Sequence, residues 1–265
     1  MKNRYLLAVL ALLVSSHLLA KEDSYLLSIA GVGMSMNYSE YLDDETLYDT
    51  EKSDINAIVG VELQASYIQN FENGNYSQIG LSLMNVSGQT QYTGALIGSG
   101  LGYGSYVSST KNTVVDVELE YRYVSTITDD FELINGVGIG HRAWTRTLSA
   151  TQVEVYYWHS LRLRMGGIYK YDNISIGGLV QYQYSINPKM SLAIPTSSVI
   201  LDLRSADIIK LSVPVKYKYS EDINLFMKYV YEKQTIEKSN VVEGWLEPRS
   251  EAYNQYLKFG AEFKF

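Results

Sequence analysis

The chain has 265 residues, 46% hydrophobic and 19% charged, with 22 basic and 29 acidic side chains. That is too apolar and too aromatic for a disordered chain, and four prolines with 20 unperiodic glycines exclude collagen-like and Pro-rich architectures. Zero cysteines exclude a disulfide scaffold, a thiolate metal site and an acylated lipoprotein cysteine, and a pI near 5.1 argues against a nucleic-acid partner.

Residues 1–20 read as a secretory signal. Lys2 and Arg4 precede an unbroken apolar run of nine, Leu6 to Val14, and Ser15, Ser16 and Ala20 are small residues near a cleavage point placed after Ala20. Without Lys2 and Arg4 the remaining 21–265 domain carries 20 bases against 29 acids, a charge of −9. No later segment has the ~20 consecutive apolar residues of a transmembrane helix.

The rest alternates with a period of two, the signature of strands between two environments. Strands are expected near 24–38, 56–69, 77–89, 112–126, 131–146, 153–169, 173–186, 207–219, 223–236 and 251–265. Val59, Val61, Leu63, Ala65 and Tyr67 line one face of the second, and Thr113, Val115, Val117, Leu119, Tyr121 and Tyr123 one face of the fourth. The seventh, eighth and ninth repeat the pattern through Ile174–Tyr184, Ile209–Tyr219 and Ile223–Tyr231. At the chain end Leu257, Phe259, Ala261, Phe263 and Phe265 alternate with Lys258, Gly260, Glu262 and Lys264. Each run reaches the ~9–11 residues a tilted strand needs to cross a bilayer.

Connections alternate in length. Glu72-Asn73-Gly74-Asn75, Thr128-Asp129-Asp130, Asp172-Asn173 and Glu221-Asp222 are tight turns, whereas 39–55, 90–111, 187–206 and 237–250 are long. Short turns on one side and long loops on the other mark an outer-membrane barrel, with both termini of an even-stranded barrel on the periplasmic side. The 24 tyrosines then have a physical place. Tyr67, Tyr123, Tyr169, Tyr217 and Tyr219 finish the outward series at the short-turn ends, and Tyr157, Tyr184, Tyr231 and Tyr253 at the long-loop ends, as two interfacial girdles.

Opposite parity defines the lumen. It carries Glu62, Asp116, Glu118, Glu120, Arg122, Arg162, Arg164, Lys210, Lys216, Lys218, Lys228, Glu232, Lys258, Glu262 and Lys264. Unpaired charge in a narrow lumen is costly, so acids and bases are expected to pair there. Ten strands enclose little more than eight, whose interior side chains fill the barrel, so a largely plugged lumen is expected. If positions of strands five and six sum to 300, His141 faces His159, Gly138 faces Arg162, Gly136 faces Arg164 and Arg146 faces Glu154. Asn135 falls on the lipid face, and Pro214 implies a bulge or a missing ladder bond.

The chain from Phe131 onward resembles the omptins, ten-stranded outer-membrane proteases. The similarity lies in Tyr169-Lys170-Tyr171-Asp172-Asn173 leading to Gly177-Gly178, in Val215-Lys216-Tyr217-Lys218-Tyr219 before a short turn, and in Ala252-Tyr253-Asn254 ahead of the Phe265 terminus. The resemblance implies ten strands, tall extracellular loops, and peptide hydrolysis by an aspartate pair facing an Asp-His dyad. The site residues do not carry over. Ser87 to Leu101 has no acid, residues 185–205 have no histidine, and Asp202 stands alone there. The outer-face basic positions through which omptins bind lipopolysaccharide phosphate correspond to Ala143 and Tyr157.

Other signals are weak. Gly98-Ser99-Gly100-Leu101-Gly102-Tyr103-Gly104 lacks a phosphate-binding spacing and reads as a flexible loop. His141 and His159 read as an outer-face interfacial pair rather than a metal or lipid-phosphate site. Glu118 and Glu120 read as lumen wall rather than acid/base catalysts. The acidic loop 39–55 reads as a solvated run. The expected fold is an all-β, ten-stranded, antiparallel up-and-down transmembrane β-barrel in the outer membrane. No cofactor is expected. The expected partners are outer-membrane lipid, lipopolysaccharide, and the barrel-assembly machinery reading Phe259, Phe263 and Phe265. The expected role is a non-enzymatic surface or envelope barrel, with a small channel and a divergent omptin-type hydrolase as alternatives.

Overall fold

Alternating apolar and polar side chains put one face of every strand in contact with hydrocarbon, so all backbone groups must pair and the sheet must close. The computed structural model describes residues 23–71, 74–95, 102–195 and 197–265. The expected signal at 1–20, Glu72-Asn73 of the first expected turn and Gly98–Leu101 of the glycine-rich stretch lie outside the described residues.

Among the described residues there are twelve strand segments: β1 (Ser24–Tyr41), β2 (Leu47–Lys52), β3 (Ile58–Asn70), β4 (Tyr76–Gly94), β5 (Tyr106–Thr128), β6 (Phe131–Ser149), β7 (Gln152–Tyr171), β8 (Ile174–Ile194), β9 (Ser197–Asp202), β10 (Ala206–Lys218), β11 (Ile223–Ile236) and β12 (Arg249–Lys264). They make ten staves, because two staves are broken. β2 and β3 follow one another down between β1 and β4, interrupted at 53–57. β9 and β10 both run against β8 in one register, interrupted at 203–205. Every neighbour is antiparallel, and β1 pairs β12 from Leu26↔Lys264 to Tyr41↔Arg249, closing the ring. The ten expected strands correspond one for one to the ten staves.

The long connections differ from the expectation. Most of 39–55 and of 187–206 is strand, and 90–94 and 106–111 extend β4 and β5, so these segments build tall hairpins, with the first turn reduced to 42–46. Ladder pairing continues past the girdle because it satisfies backbone groups that a loop would leave to water. At the opposite end, Gly74 adopts φ 80° in the β3–β4 turn, a conformation that glycine takes without a Cβ penalty.

The outer face is a belt of apolar residues, with Val59, Ile139, Leu163 and Met165 each more than half exposed. A water-soluble monomer rarely exposes so continuous a patch. Tyr25 and Tyr67 pack at one rim with ring centroids 5.4 Å apart, Tyr231 and Tyr253 at the other at 6.5 Å. The β6–β7 register is the sum of 300: His141↔His159, Gly136↔Arg164, Gly138↔Arg162 and Arg146↔Glu154. Beside Pro214 the β8–β10 ladder skips from Ser212↔Leu179 to Val215↔Ile176, the missing ladder bond expected of proline. A Cβ on Gly177 would meet the Pro214 ring at 3.2 Å, so the glycine gives that ring room.

Candidate functional site

Inside the ring, even-numbered residues of β5, β6 and β7 point into the lumen, and they sort into tiers along the axis. On β5, from the short-turn end upward, these run Arg122, Glu120, Glu118, Asp116, Val114, Asn112 and Thr110. The charged residues expected in the lumen therefore occupy only part of it.

The lower tier is a lattice of ion pairs. Arg162 reaches Asp116 at 2.8 Å and Glu118 at 3.0 Å; Arg164 reaches Glu120 at 2.9 Å and Glu118 at 3.3 Å; Arg122 reaches Glu120 at 2.5 Å. Lys258 pairs with Glu62, and Lys216 with Glu262 at 2.9 Å. Lys228 lines the same space, opposite Lys258 on the β11–β12 ladder. Arg142 and Lys210 close on Glu232 at 2.9 and 3.1 Å. Parity found Glu232 and Lys210 but passed over Arg142, although it shares the face of Gly136 and Gly138. Gly138 is the ladder partner of Arg162, but a Cβ on Gly140 would fall on the Arg162 guanidinium.

Above lies an apolar tier that charge parity did not anticipate. Met34, Met36, Ile58, Met84, Val86, Val114, Trp144, Trp158 and Leu201 are buried there as one cluster. Trp144 stacks on Tyr156 at 4.9 Å and meets Tyr38 edge-on at 5.1 Å. Tyr38, Tyr92, Tyr156 and Tyr256 are thus lumen residues, so the tyrosines do not all serve the girdles.

The mouth at the tall-hairpin end is acidic. One buried cation, Arg146, holds Glu40 at 2.7 Å, Glu51 at 2.8 Å and Glu154 at 2.8 Å, with its guanidinium 4.4 Å from the Tyr38 ring centroid. Glu51 also accepts from Thr90 at 2.5 Å and Asn112 at 2.7 Å. The Tyr156 hydroxyl donates to Glu247 at 2.5 Å and lies 3.2 Å from Glu154. Asp49 is buried, with Oδ1 lacking a hydrogen-bond partner. Burial pushes the carboxyls of Asp49 and Glu247 well above the usual carboxylate range, and the nearby Glu40 pushes them the same way. Five carboxylates thus surround one arginine, beneath a cavity of about 640 Å³ whose walls include Tyr48, Tyr92, Tyr106 and Trp245. Glu40, Asp49 and Glu51 belong to the loop read as solvated; the β2 hairpin instead turns them inward. Glu247 comes from the aperiodic 237–248 connection, which offers no sequence signal for its role.

His141 and His159 sit on the outer face with ring centroids 4.9 Å apart. Phe259 and Phe265 are exposed on or beside β12, and Phe263 is half-buried. Ala143 and Tyr157 are ladder partners on the outer face.

No protein-family model matches the chain, and no curated protein sequence does. Among solved structures it is similar to the outer membrane protease OmpT of Escherichia coli, with a TM-score of 0.57 and 10% identity over 95% of this chain and 100% of that one. It also aligns with Ail, the attachment invasion locus protein of Yersinia pestis (TM-score 0.38, 13% identity, 92% and 99% covered), and with the toluene transporter TodX of P. putida (TM-score 0.34, 11%, 93% and 90%). At such identities the likeness is one of fold: the chain has the ten-stranded outer-membrane-type β-barrel that it resembles in the omptins, and the resemblance holds at the level of the barrel.

Proposed function

We propose that this protein is an outer-membrane barrel, non-catalytic and closed to solutes, whose tall hairpins and acidic mouth serve envelope structure or surface interaction. The observation that carries this reading is the apolar tier. Trp144, Tyr156, Trp158 and their neighbours are buried against one another across the lumen, above an ion-pair lattice. A conducting pore requires a continuous polar path, and an apolar tier between the ion-pair lattice and the mouth supports a lumen closed to solutes. In the same reading residues 1–20 direct export, Phe259, Phe263 and Phe265 form the signal for the barrel-assembly machinery, and the belt contacts outer-membrane lipid and lipopolysaccharide. Planar-bilayer recording on the refolded protein tests the closed lumen: no unitary conductance is expected, and stable unitary steps would replace this reading with that of a small channel.

A second reading is favoured by one observation at the mouth. Glu154 and Glu247 share the Tyr156 hydroxyl beneath an open cavity, so two carboxyls lie together where an acid/base pair for hydrolysis would be needed. Turnover of a peptide or lipid panel by the refolded protein, abolished by Glu247→Gln, would establish it.

A further inference from the structure

The ion-pair tier does not balance, and the imbalance falls on one residue. A cavity of about 70 Å³ remains within it, lined by five bases, Arg122, Arg164, Lys210, Lys228 and Lys258, but only four acids, Glu62, Asp116, Glu118 and Glu120. Every one of these acids is already engaged. Glu62 is taken by Lys258, Glu120 by Arg122 and Arg164, and Glu118 by Arg164 and Arg162. Asp116 is drawn on by Arg162 at 2.8 Å and lies 3.7 Å from Lys210. Arg162 thus adds a further cation to the same acids. Among the described residues Lys228 has no carboxylate at ion-pair distance and donates no hydrogen bond. It also faces Lys258 directly across the β11–β12 ladder. Like charges opposite one another on a sheet repel, and Lys228, half-buried in the lumen wall, lacks the paired carboxylate that would offset its partial loss of hydration.

We propose that the lumen holds a small monovalent inorganic anion of halide size against Lys228, in the cavity bounded by Lys258, Ser82 and Ser212. The chemistry of the wall fits such a guest. Ser82 and Ser212 line the cavity, and their hydroxyls are potential donors to an anion, whereas the Tyr256 hydroxyl beside them already donates to Glu232. The space exceeds the ~10–15 Å³ that one water requires. Among the described residues Arg122, Arg164, Lys210 and Lys258 each have a carboxylate at ion-pair distance and Lys228 has none, so one monovalent anion would supply the counter-charge that Lys228 lacks.

The test uses the full-length barrel refolded in detergent, with thermal unfolding followed across chloride concentrations at constant ionic strength. Gluconate, too large for the cavity, replaces the chloride withdrawn. For one site binding only the folded state, the unfolding equilibrium shifts about tenfold per tenfold rise in chloride above half-saturation. Wild type is expected to show that dependence, as is Lys216→Met, which removes a paired lysine outside the cavity lining. Lys228→Met is expected to lose it and to be the more stable of the two in gluconate. A wild type indifferent to chloride, or a Lys228→Met variant that keeps the same dependence, overturns the proposal. If Lys228→Met does not fold, wild-type crystals soaked in bromide decide: an anomalous peak within about 3.5 Å of Lys228 Nζ supports the site, and its absence overturns it.

Discussion

Replacing Arg146 with methionine tests whether one guanidinium holds the acidic mouth together. The side chain is 1% exposed and engages Glu40, Glu51 and Glu154, each within 2.8 Å. Methionine fills similar volume but leaves three buried carboxylates without a countercharge. Removing one partner of a buried ion pair costs about 3–5 kcal/mol. The remaining donors keep the loss in that range: Thr90 and Asn112 still serve Glu51, and the Tyr38 hydroxyl still serves Glu40 at 2.6 Å. The alternative open to the variant is to take up protons. From an ordinary glutamate value near 4.3, neutralising one carboxyl at pH 7 costs about 1.36 kcal/mol per pH unit, or roughly 3.7 kcal/mol, which gives the same range. At pH 4 that cost nearly vanishes, so the deficit is expected to shrink to about 1 kcal/mol. Urea unfolding of refolded protein in micelles, followed by tryptophan emission at both pH values, measures both numbers. A loss below about 1 kcal/mol at pH 7, or a loss that acid leaves unchanged, would refute the view that Arg146 neutralises the mouth.

Three further outcomes follow from the geometry. Gly140→Ala puts a Cβ on the Arg162 guanidinium and dislodges it from Asp116 and Glu118, so it is expected to cost about 2 kcal/mol or more; Gly178→Ala, with nothing within 4 Å of its Cβ, should stay within about 0.5 kcal/mol in the same unfolding assay. Ile139 is 60% exposed on the belt, and Ile139→Arg is expected to destabilise the barrel in lipid vesicles by about 2–4 kcal/mol; an unchanged stability would remove Ile139 from the hydrocarbon zone. The Asp49 and Glu247 carboxyls lie above their unfolded values, so the folded mouth favours their protonated forms. Their penalty is absent below about pH 4 and grows as pH rises through the folded values. Hydrogen-exchange protection of residues 242–247, corrected for intrinsic rates, should therefore decline from acid to neutral pH, and Glu247→Gln should flatten the decline.

The ten staves, their faces and the β6–β7 register were legible from sequence because a strand between lipid and lumen has two unlike neighbours. Hydrocarbon accepts only apolar side chains, so Val59, Val61 and Leu63 report their face directly, and a one-residue slip would invert it. The His141–His159 pair was legible for the same reason. The lumen's contents were less so. Parity places Trp144, Trp158 and Glu62 all inside, yet it does not say which of them share a height. Height depends on strand tilt and shear around the closed ring, which no single strand encodes.

Sequence by itself determined that this chain closes into a ten-stranded barrel, because period-two alternation repeated ten times without a helix leaves no other way to satisfy the backbone in lipid. Tertiary structure alone decided that Arg146 meets Glu40 and Glu51, residues 106 and 95 positions away, and that Glu247 joins them from an aperiodic connection. It also decided that Lys228 is left facing Lys258 with no acid of its own. Those meetings occur across the lumen, where closure and shear choose the partners and local periodicity carries no information.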